Sequence, residues 1–164
     1  MRGTYIIEVS HKKGVSDPVG RKLAGELHHL GTHAVQYVTT AQLYRLVGNL
    51  SLEDRNRIAK DLLCDPIVQD SGDGTVGVPA SGLSRSKAHP TVAVIDVWFK
   101  TGVTDVVGES VLKGIQDLSI SGVSEVRTGM RYRLWGLRTA EPARKIAGAL
   151  LANPLVHDSL IHVD

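Results

Sequence analysis

The feature of this sequence that most constrains its fold is an internal duplication. Residues 12–20 read KKGVSDPVG and residues 100–108 read KTGVTDVVG, so that Gly14 and Gly102 lie 88 positions apart (102 − 14 = 88). The same offset aligns residues 4–71 with residues 92–159 without a gap, and roughly a third of the aligned positions are identical. A match of this length at one fixed offset indicates two copies of one structural unit.

The segment between the two copies differs from them in composition. Residues 71–89 read SGDGTVGVPASGLSRSKAH, which is rich in Gly, Ser and Pro and has no apolar periodicity. Such a composition is typical of a linker. We therefore predict a first repeat at residues 1–71, a linker at residues 72–90 and a second repeat at residues 91–164.

Each copy is predicted to contain four strands and two helices. The segments YIIEVSH and TVAVIDVWF are rich in β-branched residues and open the copies as strands. A helix follows, whose apolar residues form one stripe at Val19, Leu23, Leu27 and Leu30 in the first copy. Two short strands come next (AVQYVTT and QLYRLVG, then GVSEVRT and RYRLWG), and a second helix and a final strand close the copy.

The element order β-α-β-β-α-β is that of the ferredoxin-like fold. The predicted fold class is therefore α+β, with two ferredoxin-like repeats. One unit of about 70 residues has a thin core and leaves one sheet face bare. We accordingly expect the two repeats to pack sheet to sheet as an intramolecular pseudo-dimer.

The repeated motif has a structural interpretation in terms of helix capping. A glycine permits a tight turn, an aspartate that precedes a helix accepts hydrogen bonds from its first turn, and a proline fits the first helical position. A proline after the second helix stops it. Capping is favoured over a catalytic role for the two aspartates. The motif residues are Gly14, Asp17, Pro18 and Gly20 with Gly102, Asp105 and Gly108, and the helix stops are Pro66 and Pro154.

Other sequence patterns that could carry chemistry are better explained structurally. GDGTVG at residues 72–77 matches a dinucleotide fingerprint, but the following VPASG does not begin a helix. His28, His29 and His33 cluster, yet the second copy has no histidine at the equivalent positions, and Cys64 is replaced there by Ala152. We predict no catalytic residue and no metal site, and we expect Cys64 to be a core residue.

A repeated Tyr-Arg pair occurs on a predicted strand of each copy. Tyr44 and Arg45 in the first copy align with Tyr132 and Arg133 in the second. An arginine that faces solvent beside a tyrosine suits a protein interface. Ordinary strand alternation, with Tyr inward and Arg outward, explains the pair equally well, so both interpretations remain open.

Charge and hydropathy restrict the functional classes. There are 19 basic and 17 acidic residues without a concentrated basic stripe, which argues against nucleic-acid binding. No apolar stretch approaches the roughly 20 residues of a membrane span, and the N-terminus lacks the layout of a signal peptide. With a single cysteine, these features favour a soluble cytoplasmic protein.

The two copies resemble the PurS family. The resemblance rests on GVSDPVG followed by a helix, on LG and a Val-x-x-Val strand, and on the closing segments LLCDPIVQD and LLANPLVHD. It spans both repeats and excludes only the linker. PurS is the small subunit of phosphoribosylformylglycinamidine synthase in de novo purine synthesis, and the chain resembles its doubled form, as a free subunit or an N-terminal region.

The resemblance implies a non-catalytic component of a glutamine- and ATP-dependent C–N ligase. Such a component bridges a PurL-type synthetase and a PurQ-type glutaminase, so that ammonia reaches the activated substrate. It implies that ATP, Mg²⁺ and glutamine are used by the assembled complex, that this chain binds no cofactor, and that no activity is expected of the chain alone. Further self-association is left open.

The sequence departs from the family's strand motif Val-Arg-x-Gly-Lys. Residues 38–42 of the first copy read VTTAQ and lack its Arg, Gly and Lys. Residues 126–130 of the second copy read VRTGM and keep Arg127 and Gly129. We therefore expect the second copy, through Arg127, to be the better partner contact, and the partner-interface candidates are Tyr44, Arg45, Arg127, Tyr132 and Arg133.

Two other functions compete with the bridging role. Paired ferredoxin-like units could form a regulatory module that binds a small metabolite, although fold alone is weak support for function. RNA binding on an open sheet needs stacking aromatic side chains. It ranks last because Trp98, Phe99 and Trp135 occur in one copy only.

Overall fold

The computed structural model describes residues 2–75 and 92–163, in which each repeat contributes three strands and two helical segments. The first repeat contains β1 (Gly3–His11), α1 (Pro18–His29), β2 (Tyr37–Gly48), α2 (Leu52–Arg57, continued by a π-helical segment Ile58–Leu63) and β3 (Gln69–Asp73). The second contains β4 (Val92–Phe99), α3 (Val106–Asp117), β5 (Val123–Trp135), α4 (Ala140–Ile146, continued by a π-helical segment Ala147–Leu151) and β6 (His157–Val163). Among residues 2–75 and 92–163, no helix has the length and hydropathy of a membrane span.

The six strands form one antiparallel sheet in the order β3-β1-β2-β5-β4-β6. The two repeats meet where β2 pairs with β5, from Tyr37 opposite Trp135 to Val47 opposite Glu125. Gln42 lies opposite Met130, and these two residues are equivalent in the duplication (42 + 88 = 130). A pseudo-two-fold axis therefore passes through the centre of the β2–β5 pair.

The predicted α+β class with two paired repeats is confirmed, but the predicted mode of packing is wrong. The repeats do not stack sheet to sheet; they join edge to edge in one continuous sheet. The two short strands predicted in the middle of each copy are one long strand of 12 residues in β2 and 13 in β5. A long strand leaves backbone N–H and C=O groups unpaired along one edge, and the equivalent strand of the other repeat satisfies them.

The two larger hydrophobic cores lie on one face of the sheet, which we call the helix face, and each of them mixes both repeats. In one cluster, Leu23 and Leu27 of α1 pack with Ile95 and Leu134 from the strands of the second repeat. In the other cluster, Ile115 of α3 packs with side chains from the first repeat, including Ile7, Leu46 and Ile58. Each first helix therefore packs on the central strand of its own repeat and also on side chains of the other repeat, and neither core is complete within one repeat.

The predicted stripe of α1 is buried only at its centre. Leu23 and Leu27 are buried, whereas Val19 and Leu30 at its ends are 51% and 67% exposed. The helix is 12 residues long, and its buried positions are Gly20, Leu23 and Leu27. The stripe therefore predicts the correct face of the helix but overestimates the length that packs.

Candidate functional site

The repeated glycine–aspartate motif forms the joint between the first helix of each repeat and its central strand. Gly14 and Gly102 have φ values of +84° and +87°, a conformation that favours glycine. Asp17 is the N-cap of α1, as predicted: its Oδ1 accepts a hydrogen bond from the backbone N–H of Gly20 at 2.9 Å. Its Oδ2 accepts one from the backbone N–H of Thr40 at 2.6 Å, and the Thr40 hydroxyl donates to Oδ1 at 2.9 Å.

The second repeat reproduces this joint. Asp105 caps α3 through the Gly108 N–H at 2.8 Å and accepts from the backbone N–H and hydroxyl of Thr128 at 2.6 and 2.9 Å. The two threonines were not singled out from the sequence, although Thr40 and Thr128 are themselves related by the offset of 88. Both aspartates are thus occupied by three donors each, which is a structural role.

The last glycine of the motif allows a helix to approach a strand closely. A Cβ atom on Gly20 would lie 2.4 Å from the carbonyl oxygen of Val38, and one on Gly108 would lie 2.5 Å from that of Val126. Such separations are shorter than van der Waals contact, so any other residue would push the helix away. The motif that revealed the duplication therefore encodes the geometry of a helix–strand joint.

The other two predicted structural positions, both prolines, follow the second helices. The π-helical segments end at Leu63 and Leu151, and Pro66 and Pro154 lie in the turns that lead to β3 and β6. Pro18 occupies the first turn of α1. These placements agree with the start and stop signals read from the sequence.

On the face of the sheet opposite the helix face, four buried charged residues form what we call the ion-pair cluster: Glu8, Asp96, Arg131 and Arg133. Arg131 binds Asp96 through two hydrogen bonds of 2.7 Å, from Nε and Nη2. Its Nη1 donates to Glu8 at 2.9 Å, and Nη2 also donates to the carbonyl oxygen of Gly74 at 2.8 Å. Arg133 donates to both carboxylate oxygens of Glu8.

The cluster joins the two repeats, since Glu8 belongs to the first and both arginines to the second. All four side chains are at most a tenth exposed. Burial alone would lower the pKa of Arg131, but the hydrogen bonds and charges of Asp96 and Glu8 raise it overall. The sequence did not reveal this cluster, because its members lie far apart in the chain: Arg131 is 35 positions from Asp96 and 123 from Glu8.

The five partner-interface candidates fall in different environments. Tyr44 and Tyr132 are half-buried on the helix face, where burial raises the pKa of each phenol. Arg45 lies over the ring of Trp98, with its guanidinium carbon 4.2 Å from the ring centroid. Arg133 is held in the ion-pair cluster.

The fifth candidate, Arg127, is partly exposed near the start of β5. Its Nε donates to Glu125 at 3.0 Å and its Nη1 donates to the carbonyl oxygen of Val103 at 2.7 Å. Of the two Tyr-Arg interpretations, strand alternation describes the orientation, because the tyrosines face the helices and Arg45 and Arg133 the opposite face. A role of these residues in partner contact stays a prediction.

The remaining sequence candidates are not brought together into a site. Gly72 and Asp73 of the glycine-rich segment belong to β3, while its third glycine and most of the predicted linker lie outside the described residues. His28 and His33 contact each other at 3.2 Å between their Nδ1 atoms, on the surface. Within residues 2–75 and 92–163, no three His, Cys, Asp or Glu side chains converge to hold a metal ion.

Cys64 is half-buried at the end of the first π-helical segment and packs at the margin of a core cluster. Burial and the nearby Asp70 and Asp65 raise the pKa of its thiol, which disfavours the reactive thiolate.

A shallow cavity of about 280 Å³ opens between β1, β3 and α2, and Arg55 stacks over Tyr5 at its wall.

Comparison with protein-family models gives a match to PurS, described as phosphoribosylformylglycinamidine (FGAM) synthase, over residues 4–72 and again over residues 92–164. Three solved PurS structures are similar to parts of the chain. The one from Methanocaldococcus jannaschii, described as one of the subunits of formylglycinamide ribonucleotide amidotransferase in the purine biosynthetic pathway, is 26% identical, with a TM-score of 0.42. The match covers 45% of this chain and 95% of that one.

The PurS of B. subtilis is 22% identical, with a TM-score of 0.41, and the match covers 45% of this chain and 98% of that one. The PurS of Thermus thermophilus is 26% identical, with a TM-score of 0.39 and coverage of 48% and 100%. A search of curated proteins gave no significant match.

Proposed function

Because the chain belongs to the PurS family of FGAM synthase and contains the family unit twice, we propose that it is a non-catalytic bridging component of that enzyme. Family membership gives it a role in FGAM synthase of purine biosynthesis. The finer proposal is that it holds a PurL-type synthetase and a PurQ-type glutaminase together while ammonia passes between them. The observation that carries it is that both family units occur in one chain and share one sheet.

The way in which the structure uses its charged residues supports a scaffolding role. Asp17 and Asp105 cap helices, and the ion-pair cluster joins the repeats, so these groups serve the fold rather than a reaction. We propose that ATP, Mg²⁺ and glutamine bind to the partner subunits and not to this chain. The cytoplasmic location stays a prediction.

The two repeats offer different surfaces to two different partners. The start of β5 presents Arg127 with a fifth of its side chain exposed, and the equivalent position in the first repeat is Thr39. A charged group that differs between otherwise equivalent surfaces is a means of distinguishing partners. We therefore propose the start of β5 as the contact region of the second repeat.

The proposal is tested by mixing the chain with the synthetase and glutaminase of the same organism, with glutamine and ADP present. Co-elution on a sizing column, together with loss of glutamine-dependent FGAM formation when the chain is omitted, is the expected result. Arg127→Ala should weaken co-elution, and Arg21→Ala, an exposed arginine of α1, is the matched control. A chain that elutes alone, in a mixture that is fully active without it, would overturn the proposal.

A further inference from the structure

The ion-pair cluster departs from the pseudo-two-fold symmetry of the fold. The offset of 88 makes Glu8 equivalent to Asp96, and Arg133 equivalent to Arg45. The equivalent of Arg131 is Leu43, an apolar residue that is fully buried. The two sides of the junction, by which we mean the β2–β5 strand pair and the side chains beside it, are therefore alike in backbone shape but different in charge.

The observed pairing of first with second repeat balances the buried charge. Two carboxylates, on Glu8 and Asp96, face two guanidinium groups, on Arg131 and Arg133. Within the second repeat Arg131 already neutralises Asp96 through two hydrogen bonds. Arg133 bonds within the cluster only to Glu8, so the first repeat supplies the missing negative charge.

When the partly exposed Arg45 is included, the observed pair holds two carboxylates and three guanidinium groups, and two second repeats would hold a larger surplus of positive charge. By the pseudo-symmetry, such a pair would replace Glu8 by a second Asp96, Leu43 by a second Arg131 and Arg45 by a second Arg133. Two carboxylates would then face four guanidinium groups, one more than in the observed pair. Because an uncompensated buried charge costs several kcal/mol, this pair is disfavoured although its backbone geometry is compatible.

Two first repeats would be neutral at these positions but would lose specific contacts. Glu8 would no longer have an Arg131 beside it, since both copies carry Leu43 there. Arg45 would no longer lie over Trp98, because Ser10 occupies the equivalent position in the first repeat. The mixed pair therefore balances its charges better than two second repeats, and it keeps an arginine–tryptophan contact that two first repeats would lack.

We infer that the β5 edge of the second repeat is an interface that accepts a first repeat and rejects a second copy of itself, with Arg131 and Arg133 as the residues that discriminate. An interface is specific when the wrong pair is destabilised as well as when the right pair is stabilised, and the excess positive charge destabilises the pair of second repeats. The duplicated chain thereby forms one asymmetric pair with two non-equivalent outer surfaces. This inference does not rest on the proposed bridging function.

The test uses the full chain with a protease site introduced within residues 76–90. The folded protein is cleaved, unfolded in denaturant and refolded, and native mass spectrometry counts the mixed pairs and both kinds of self-pair. Without preference, mixed pairs make half of the total and each self-pair a quarter. We expect pairs of second repeats to fall at least about tenfold below that share.

Two variants test whether the ion-pair cluster causes the pairing preference. Arg131→Leu removes two of the four guanidinium groups from a pair of second repeats and should raise the amount of that pair at least about tenfold. Arg144→Leu, an exposed arginine of α4 outside the β2–β5 strand pair, is the control and should leave the distribution unchanged. A statistical distribution for the wild type, or equal effects of the two variants, would overturn the inference.

If the cleaved chain does not refold, the same count is made in a second way. The two segments are co-expressed in one cell, with copies of the second segment carrying two different affinity tags. Recovery of both tagged copies in a complex that lacks the first segment would contradict the inference. Recovery of each tagged copy only with the first segment would support it.

Discussion

Replacing Asp105 with alanine tests whether the repeated motif is a structural joint. The carboxylate is 4% exposed and accepts hydrogen bonds from three donors: the Gly108 N–H, the Thr128 N–H and the Thr128 hydroxyl. Loss of an N-cap costs about 1 kcal/mol. Leaving buried donors without an acceptor costs about 1–3 kcal/mol. We therefore expect Asp105→Ala to lower the free energy of unfolding by about 3 kcal/mol.

The equivalent change in the first repeat provides an internal comparison. Asp17 makes the same three hydrogen bonds, but its side chain is less deeply buried, so water can replace part of what is lost. We expect Asp17→Ala to cost about 2 kcal/mol. Asp105→Asn should cost less than Asp105→Ala, because its amide oxygen still accepts from one backbone N–H while its NH2 group meets the other.

The measurement is urea unfolding followed by circular dichroism, with the midpoint and slope compared among variants. Asp117→Ala is the control, since Asp117 lies exposed at the last position of α3 and caps nothing. Its effect should stay within about 0.5 kcal/mol. A loss below about 1 kcal/mol for Asp105→Ala would refute the assignment of this residue as a buried joint.

Further predictions concern glycines and tyrosines. Gly20→Ala should lower the free energy of unfolding by about 1–3 kcal/mol, because its Cβ would meet a β2 carbonyl oxygen at 2.4 Å. Gly25→Ala in the same helix, with no heavy atom within 4 Å of its Cβ, should raise it by about 0.5–1 kcal/mol in the same urea assay. Gly129→Ala should also cost about 1–3 kcal/mol, because its Cβ would lie 2.7 Å from a tryptophan ring. Burial raises the pKa of Tyr44 and Tyr132 above 10.0, so their contribution to stability is full below pH 10 and is lost as the pH rises through the folded-state values. Ultraviolet titration should show late-ionising phenols that disappear in the corresponding Phe variants, and ionisation of these phenols at the ordinary pKa would contradict this.

The features that could be predicted from the sequence are those set by neighbours along the chain. The N-cap at Asp17, the proline after it and the glycine at position 14 act within one or two turns of backbone, so local patterns reveal them. The duplication at a fixed offset then assigned the same role to Asp105. The α+β class follows from the order of such local elements.

The mode of joining could not be predicted, because it depends on edges and register. Residues 37–48 alternate in burial along a single strand, and the same alternation is compatible with two short strands and a turn. No local signal states whether the free edge of β2 pairs within its own repeat or with β5. The stacking prediction was wrong for this reason. It assumed that the repeats pair to bury a sheet face, whereas in the structure they pair to form backbone hydrogen bonds between the edges of β2 and β5.

The contrast between the joint and the junction explains how a duplicated chain can become asymmetric. Gly14, Asp17, Gly20 and Thr40 have identical counterparts in the second copy, and each acts within its own repeat, where both copies face the same local geometry. Leu43 differs from its counterpart Arg131, and Arg131 donates a hydrogen bond to Glu8 of the other repeat. Once the two copies are fused, a change on one side of the junction is met by a partner that is always the other copy. A charge such as that of Arg131 then needs one compensating group instead of two, so substitutions that would disrupt a symmetric pair are compatible with the mixed one.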